Sequence, residues 1–261
     1  MMMKTNIIVS VAALAAVAGM AMADGRVTIT DAQPTTSPYN GTDGSGGAFT
    51  VTMAAAGSPN NYNAYGNGIY GDNLYAGDGR GTGSTSFLSF CLEYQDHLNF
   101  GGTYYTEIST SAYDDTAPTS TPNPDTLDAR TAAIYREFRK ITDGTASTAG
   151  LFGGALGSTL TQAGTTAIQQ AIWFSEGEIG SISGAALAVY NWGVANESQG
   201  VGSVRVLRLW DNYNAQTGVY SGSHQDLLTM IPLPPSAYAG MGTLAGMLGL
   251  AAARRRKLAA E

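Results

Sequence analysis

Short runs of alternating apolar and polar residues mark the first predicted strands of the chain. In the segments 27–29 and 49–53 every second side chain is apolar, a pattern typical of a strand with one buried face. The segment 86–94, SFLSFCLEY, is densely apolar and aromatic and predicts a buried strand. Residues 103–108 are predicted as its hairpin partner, and strand character returns at 204–210.

The spacing of apolar residues changes to a helical period between these strands. One predicted helix carries four apolar residues on a single face: Leu127, Ile134, Phe138 and Ile141. The segments 161–175 and 185–196 are predicted as further helices, and the polar, proline-containing segment 109–125 as a surface loop. This order of elements predicts an α+β fold, a β-rich sandwich or barrel-like domain with a small helical subdomain.

Residues 1–23 have the three parts of a secretory signal peptide. Lys4 supplies the positive charge at the start, and residues 7–18 form an apolar run too short to span a bilayer comfortably. Ala21 and Ala23 give the small-x-small pattern that precedes cleavage. We expect the mature chain to begin at Asp24; the alternative is an uncleaved N-terminal anchor.

Residues 229–261 are predicted as a C-terminal sorting signal with three parts. Its proline motif contains Pro232, Leu233, Pro234 and Pro235. An apolar stretch, 237–253, follows and is near the lower length limit for a transmembrane helix. A basic stop closes the chain with Arg254, Arg255, Arg256 and Lys257. Because basic flanks stay in the cytoplasm, the body of the protein is predicted to lie outside the membrane.

This tripartite end resembles the PEP-CTERM class of sorting signals, in its variant with a VPLPA-like motif; the motif here is IPLPP, residues 231–235. The resemblance implies that an exosortase removes the tail, so the membrane holds the chain only before processing. It also implies an exported protein of the cell surface or extracellular matrix. A plain single-pass anchor is the alternative.

The acidic composition excludes one class of partner. The net charge is −7 at pH 7, and the two predicted signals carry five of the basic residues but one of the acidic ones, so the mature body is more acidic still. Phosphate binding needs a basic face, which argues against nucleic acid as a partner. Residues 24–85 are rich in Gly, Ser, Thr and Asn and are predicted as strands and loops packed on the main domain, 86–228.

Cys91 is the only cysteine of the chain. A lone cysteine in an exported protein has no partner for an intrachain disulfide. Three explanations remain open at this stage: a buried inert thiol, an intermolecular disulfide, or a sulfur bonded to an atom other than sulfur.

Two motifs favour the third explanation. The segment 168–173, IQQAIW, resembles the TQxA(I/V)W signature of bacterial thioester domains, and Phe90-Cys91-Leu92-Glu93 resembles their aromatic-Cys strand motif. The resemblance implies an internal thioester between Cys91 and Gln169 that couples to an amine-bearing partner. We expect the apolar shelter of such a bond to come from Phe87, Phe90, Trp173 and Phe174. Ile168 and Leu92 depart from the usual Thr and Tyr. The adjacent Gln170 is the alternative acyl donor.

The remaining polar residues predict no catalytic machinery. His97 follows Asp96, a possible ligand, but no Cys or second His lies near it, and the spacing of Asp72 and Asp78 fits no EF-hand loop, so no metal site is predicted. His224 is likewise interpreted as a surface residue. Glu176 and Glu178 are interpreted as a solvated helix end, with a carboxylate pair for acid–base chemistry as the alternative.

The hypothesis is therefore an exosortase-sorted surface or matrix protein, not an enzyme and without a cofactor, that attaches covalently through a Cys91–Gln169 thioester. The main alternative is a non-covalent structural matrix protein of the same fold with an inert Cys91. A secreted hydrolase ranks last, because no nucleophile elbow or P-loop is present.

Overall fold

The computed structural model describes residues 25–32, 46–53, 86–94, 98–114, 123–142, 146–214 and 217–230. The predicted signal peptide, the predicted sorting signal from residue 231 onward and most of the Gly-rich segment lie outside the described residues. Within the part of the chain that the structure describes, no helix is long and apolar enough to cross a membrane.

Over the described residues, a large antiparallel sheet is combined with three α-helices, which confirms the predicted α+β class. The strands are β1 (Gly25–Asp31), β2 (Phe49–Met53), β3 (Ser86–Ser89), β4 (Thr103–Ser109), β5 (Ser111–Asp114), β6 (Asn123–Thr126), β7 (Val204–Asn214) and β8 (Val219–Met230). The α-helices are α1 (Ala129–Thr142), α2 (Gln162–Glu176) and α3 (Gly184–Asn196). Short 3-10 helices cover Thr148–Gly154 and Glu197–Gln199.

Six strands form the main sheet in the order β3-β2-β1-β4-β7-β8, each pair antiparallel. The two outer strands of this order meet just after β3, where Cys91 lies opposite Leu227 of β8. Two main-chain hydrogen bonds flank this pair: Leu92 N–H donates to Asp226 O at 3.0 Å, and Leu228 N–H donates to Phe90 O at 3.1 Å.

Three features of the sheet differ from the expectation. Residues 103–108 do form a strand, but β4 pairs with β1 and β7 rather than with β3, because alternation identifies a strand and not its neighbour. The predicted loop 109–125 contains β5 and β6, which pair with each other; Pro124 is tolerated because neither strand continues into a larger sheet. The prediction also missed β8, whose first half is polar and exposed.

Alternation along the strands divides the buried side chains into two clusters. The first, here called the inner cluster, contains Val27, Ile29, Val51, Phe87, Cys91, Tyr104, Trp173, Leu207, Leu209 and Leu227. The second, here called the helix-side cluster, lies where α1, α2 and α3 cover the sheet, and it includes Phe90, Phe138 and Ile168. In β7, Leu207 and Leu209 belong to the inner cluster, whereas Val204 and Val206 belong to the helix-side cluster.

Helix α2 carries the candidate site and has well-defined ends. The Thr161 hydroxyl accepts the Gly164 N–H at 3.1 Å and caps the first turn. The helix ends at Gly177, whose φ of 85° is left-handed and suits glycine. Gly193 lets α3 approach α1, because a β-carbon there would lie 3.0 Å from the Ile134 side chain. The three helices therefore pack tightly and fix the position of α2 against the sheet.

Candidate functional site

Cys91 lies just beyond the paired part of β2 and β3, so its main chain has no neighbouring strand on that side. The pairing of β2 with β3 ends at Phe49 and Ser89, two residues before Cys91. On the opposite side, the hydrogen bonds to β8 are made by Phe90 and Leu92 and not by Cys91 itself. In an antiparallel ladder such a residue directs its own N–H and C=O away from the neighbouring strand. Both main-chain groups of Cys91 therefore point into the gap where β2 has ended.

Gln169 of α2 fills this gap with its side-chain amide. Cys91 N–H donates to Gln169 Oε1 at 3.1 Å, and Gln169 Nε2 donates to Cys91 O at 2.8 Å. Both residues are buried, Gln169 with 0% and Cys91 with 1% of its surface exposed. The amide thus takes the place of a missing strand, and the Gln169 carboxamide is held directly beside Cys91.

The neighbouring glutamine does not share this position. Gln170 is half-buried, whereas Gln169 is fully buried and bonded to Cys91. Consecutive helical residues point about 100° apart, so only one of the two can face the same strand. Of the two acyl donors left open by the sequence, the structure brings Gln169 to Cys91.

Trp173, one turn after Gln169, covers the site from the helix. Its indole ring belongs to the inner cluster with Cys91 and Phe87. Its Nε1–H donates to the carbonyl oxygen of Glu93 at 3.2 Å, which ties the ring to the segment after Cys91. The exposed Tyr94 ring meets the Trp173 ring edge-on, with centroids 4.9 Å apart. Trp173 therefore covers Cys91, and the exposed Tyr94 ring covers Trp173.

Two aromatic residues that the sequence suggested for the shelter lie elsewhere. Phe90 faces the helix-side cluster, with its ring 4.8 Å from that of Phe138, because neighbouring residues along an extended segment point to opposite sides. Phe174 packs against Tyr190 of α3 at 4.8 Å. The aromatic residues that share the inner cluster with Cys91 are Phe87, Tyr104 and Trp173.

Gly46 packs directly against the Gln169 and Trp173 side chains. A β-carbon at this position would lie 2.6 Å from Gln169 Cγ and 2.7 Å from Trp173 Cη2, distances that real β-carbons essentially never show. Its φ of 75° is also left-handed. No pattern in the sequence points to this glycine, since the segment around it is rich in glycines that look alike. Only the packing of α2 onto the sheet identifies it.

Burial determines the protonation state of the cysteine. It raises the pKa of the Cys91 thiol well above its ordinary value, and the nearby carboxylate of Glu93 adds to this effect. Glu93 Oε2 accepts the Asp226 N–H at 2.7 Å, and its main-chain oxygen also accepts the side-chain amide of Gln225. The sulfur is therefore held as a neutral thiol in an apolar setting, with no pool of thiolate.

Glu176 and Glu178 contact different segments of the chain, and Glu176 is more buried than a solvated helix end would be. Glu178 Oε2 accepts the Tyr94 N–H at 3.0 Å, whereas Glu176 Oε1 accepts the Asp128 N–H at the start of α1 at 3.3 Å. Burial raises the pKa of Glu176 to about 7, and the carboxylates of Asp125 and Asp128 contribute. Each carboxylate fastens a different segment to the end of α2.

Of the other polar residues singled out in the sequence as possible metal ligands, the structure describes only His224. His224 Nε2 lies 2.7 Å from Asp211 Oδ1, and its ring packs on Tyr104. His97, Asp72 and Asp78 lie outside the described residues. Among the residues described, no group of three His, Cys, Asp or Glu side chains is placed to hold a metal ion.

The residues of the predicted sorting signal also lie outside the described residues: Pro232, Leu233, Pro234, Pro235, Arg254, Arg255, Arg256 and Lys257.

No protein-family model matches the chain, and no curated protein or solved structure is similar to it. The contact between Cys91 and Gln169 is therefore the central observation about function.

Proposed function

We propose that this chain is an exported surface or matrix protein whose Cys91 and Gln169 form an internal thioester that couples to an amine-bearing partner. The observation that carries the proposal is the pair of hydrogen bonds between the Gln169 carboxamide and the main chain of Cys91, at 3.1 and 2.8 Å, inside a fully buried site. A single cysteine and a single glutamine amide are the two functional groups that this chemistry requires.

The first step is an acyl transfer in which all atoms are accounted for. Cys91 Sγ attacks Gln169 Cδ, the C–N bond breaks, and the thiol proton leaves with the amide nitrogen as ammonia. During the attack negative charge develops on Gln169 Oε1, which already accepts the Cys91 N–H. A preorganised main-chain donor at that oxygen stabilises the charge, as in an oxyanion hole. Because the thiol is neutral, its proton must pass to the leaving nitrogen as the sulfur attacks.

The apolar cover supports the persistence of such a bond. A thioester is an activated acyl group that water hydrolyses, so it lasts only where water is excluded. Cys91, Gln169, Phe87 and Trp173 each expose 6% of their surface or less. A partner amine reaches the acyl carbon only when Trp173 or the Tyr94 ring that packs on it moves aside.

The second step consumes the site. A primary amine attacks the acyl carbon, an amide bond forms between Gln169 Cδ and the partner, and Cys91 recovers its thiol proton. The resulting bond is as stable as a peptide bond, and each molecule reacts once. This is attachment rather than turnover, which agrees with the proposal that the chain is not an enzyme.

The proposed place of action rests on the ends of the sequence. We infer that residues 1–23 direct export and that an exosortase removes the tail after the proline motif at 231–235. We also infer that the six-stranded sheet is barrel-like, since its two outer strands meet at Cys91 and Leu227, with α1, α2 and α3 as the small helical subdomain.

Intact mass of the secreted protein tests the thioester. The expected mass is lower than that of the sequence by one ammonia, and methylamine adds its whole mass across the bond while releasing one thiol. Cys91→Ala and Gln169→Ala should both abolish the mass deficit, whereas Gln170→Ala is the matched control and should keep it. Fragmentation after methylamine treatment should place the added group on residue 169.

Two results would overturn the proposal. The first is a mass equal to that of the plain sequence, with Cys91 alkylated once the chain is unfolded, which means that no thioester has formed. A free thiol with glutamate at position 169 is a different result: it marks a bond that formed and was then hydrolysed, and it supports the chemistry. The second overturning result concerns the acyl donor. If the Gln169→Ala variant kept the mass deficit, the acyl donor would be a residue other than Gln169.

A second candidate function has its own support. The Gln169 amide satisfies both main-chain groups of Cys91, and burial keeps the thiol neutral, so the pair also suits a purely structural fastening in a non-covalent matrix protein. That candidate predicts one thiol per chain that reacts after unfolding and no response to methylamine.

A further inference from the structure

Five aromatic side chains form a continuous row beside the strands β4, β7 and β8, and the row is separate from the Cys91 site. The rings, here called the aromatic row, contact one another in the order Tyr113, Trp210, Tyr220, Tyr213 and Tyr105, and Tyr105 also lies opposite Trp210 in the pairing of β4 with β7. Successive ring centroids are 5.1, 5.5, 4.7 and 6.2 Å apart. None of these five residues belongs to the inner cluster that holds Cys91 or to the helix-side cluster.

An arginine lies over each end of the aromatic row. The Arg26 guanidinium is 4.3 Å from the centroid of Tyr105, and the Arg208 guanidinium is 6.0 Å from that of Tyr113. Arg208 also donates to Glu107 and to the Ser111 carbonyl, so it is engaged by the protein itself. Arg26 Nε, in contrast, is buried without a hydrogen-bond partner in the described part of the chain.

Trp210, inside the row, has a second donor without an acceptor. The residue is 7% exposed, and its Nε1–H has no hydrogen-bond partner among the residues described. A buried indole N–H ordinarily finds an acceptor, because leaving one unpaired costs free energy. Cross-strand packing of rings alone stabilises a sheet, but it does not explain a tryptophan whose polar edge is left unpaired.

Polar groups line the row on the neighbouring strand positions. Trp210 lies opposite Ser223, and the next outward position pairs Asn212 with Ser221, both exposed. The row therefore combines aromatic surface with hydroxyl and amide groups, and with two donors spaced along it that have no acceptor among the described residues. An occupant that suits this surface has apolar faces and many acceptor oxygens at its edges.

We propose that the aromatic row binds a saccharide chain of pyranose units. A pyranose ring presents C–H groups on its faces, which pack on aromatic rings, and hydroxyl or carboxylate oxygens at its rim, which accept hydrogen bonds. Trp210 Nε1 and Arg26 Nε are buried in the unbound chain, so they donate to these oxygens once the neighbouring rings shift aside. The proposal is independent of the Cys91 chemistry, since the row shares no residue with that site.

Two other occupants fit the surface less well. A peptide that adds as a strand pairs with the main chain of a sheet edge, whereas most of the aromatic row stands over β4 and β7, which are both paired on both sides. Single-stranded nucleic acid stacks on aromatic rings too, but its phosphates need a basic groove. The chain carries a net charge of −7, and one of the two arginines at the row is already paired with Glu107.

An array of neutral and uronate-containing pyranose oligosaccharides, probed with the full chain, tests the proposal. At least one oligosaccharide should be retained, and its affinity is then measured by titration calorimetry. Trp210→Phe keeps the ring and removes the Nε1–H, and should weaken binding about five-fold, the loss expected for one hydrogen bond. Tyr213→Ala, which opens the row in its middle, should weaken binding more.

Matched variants separate this site from the rest of the molecule. Leu187→Ala removes an exposed apolar side chain from α3 and should leave the affinity unchanged. Cys91→Ala should also bind normally, so failure of the thioester does not affect this test. The proposal is overturned if no oligosaccharide is retained, if single-stranded DNA binds in place of one, or if Trp210→Phe and Tyr213→Ala, folded by circular dichroism, bind as tightly as the unchanged chain.

Discussion

Gly46 lies so close to Gln169 that a β-carbon at position 46 would stand 2.6 Å from Gln169 Cγ. The glycine thus packs directly against the side chain that bonds to the main chain of Cys91. The site depends on three segments that are far apart in sequence: residue 46, residue 91 and residue 169.

Gly46→Ala should therefore damage the site as well as the fold. Placing a side chain at a φ of 75° costs about 1 kcal/mol, and the overlap with Gln169 and Trp173 adds to this. We expect a loss of about 2 kcal/mol or more in the free energy of unfolding, measured by chemical denaturation, and a smaller fraction of chains with the ammonia mass deficit.

Gly218→Ala is the matched control for that variant. Its φ of 70° gives the same backbone strain, but a β-carbon at position 218 would have no described atom within 4 Å. If Gly218→Ala destabilises the chain as much as Gly46→Ala does, backbone strain alone accounts for the effect and contact with Gln169 contributes nothing.

The Gln169 amide should also contribute to stability before any bond forms. Gln169→Met keeps an unbranched side chain of similar length but leaves the N–H and C=O of Cys91 buried without their side-chain partners. Each unsatisfied buried group costs about 1–3 kcal/mol, so for the two groups together we expect a loss of roughly 2–6 kcal/mol. Denaturation should be measured in a Cys91→Ala background, which removes any thioester from the comparison.

Gln170→Met provides the comparison for Gln169→Met. Gln170 is half-buried, and no main-chain group of Cys91 depends on it. Its replacement should change the free energy of unfolding by less than about 0.5 kcal/mol, the usual range for substitutions away from special contacts. Equal effects of the two replacements would contradict the role given to Gln169.

The buried carboxyl of Glu176 should make stability depend on pH. Burial raises its pKa in the folded chain to about 7 from a usual 4.5, so the folded state holds a proton that the unfolded state releases. The contribution of Glu176 to the free energy of unfolding is therefore most favourable below pH 4.5, and it falls as the pH rises from 4.5 towards 7. One pKa unit corresponds to about 1.4 kcal/mol, which gives a penalty of roughly 3 kcal/mol at pH 8.

Glu176→Gln should remove this pH dependence. The neutral amide keeps an acceptor for the Asp128 N–H, so the variant should be more stable than the unchanged chain at pH 8 and similar to it at pH 4. Glu178→Gln, two residues further on, serves as the control in the same pH series of thermal melts. A Glu176→Gln variant that parallels the unchanged chain at every pH would show that this carboxyl is ionised in the fold.

Tyr135 links α1 to the strand that precedes Cys91. Its hydroxyl donates to the carbonyl oxygen of Leu88 at 2.9 Å, and both side chains are buried. Tyr135→Phe removes the donor alone and should cost about 1 kcal/mol in the free energy of unfolding. Tyr94→Phe, whose ring is half exposed, is the control and should cost less; a Tyr135→Phe variant of unchanged stability would mean that this hydrogen bond adds nothing.

Local periodicity was sufficient to predict the elements around the site. The alternation at 49–53 predicted β2, and the helical spacing of Ile168, Ala171 and Ile172 predicted α2, because each pattern arises within a single element. Strand pairing was predicted less well, since the neighbour of β4 is β1, some 75 residues away. Such partners are chosen by packing across the whole domain and leave no local mark.

In the candidate site, too, some residues could be predicted from the local sequence and others could not. Cys91 stands out because it is the only cysteine, and Gln169 because its motif is specific. Phe87 rather than Phe90 was predictable from strand alternation, which puts residues 87 and 91 on one side and residue 90 on the other. Gly46 was not predictable, because its role exists only once α2 and the sheet have met.

The contact between Ser89 and Leu228 spans 139 positions of the chain and lies beside the Cys91–Leu227 pair that joins the two outer strands. Contacts of such long range form slowly, because the loop between their ends must first be closed. The last strand therefore completes the surroundings of Cys91 only after nearly the whole body of the chain has been synthesised. Cys91 is thus among the last residues of the fold to gain its full surroundings.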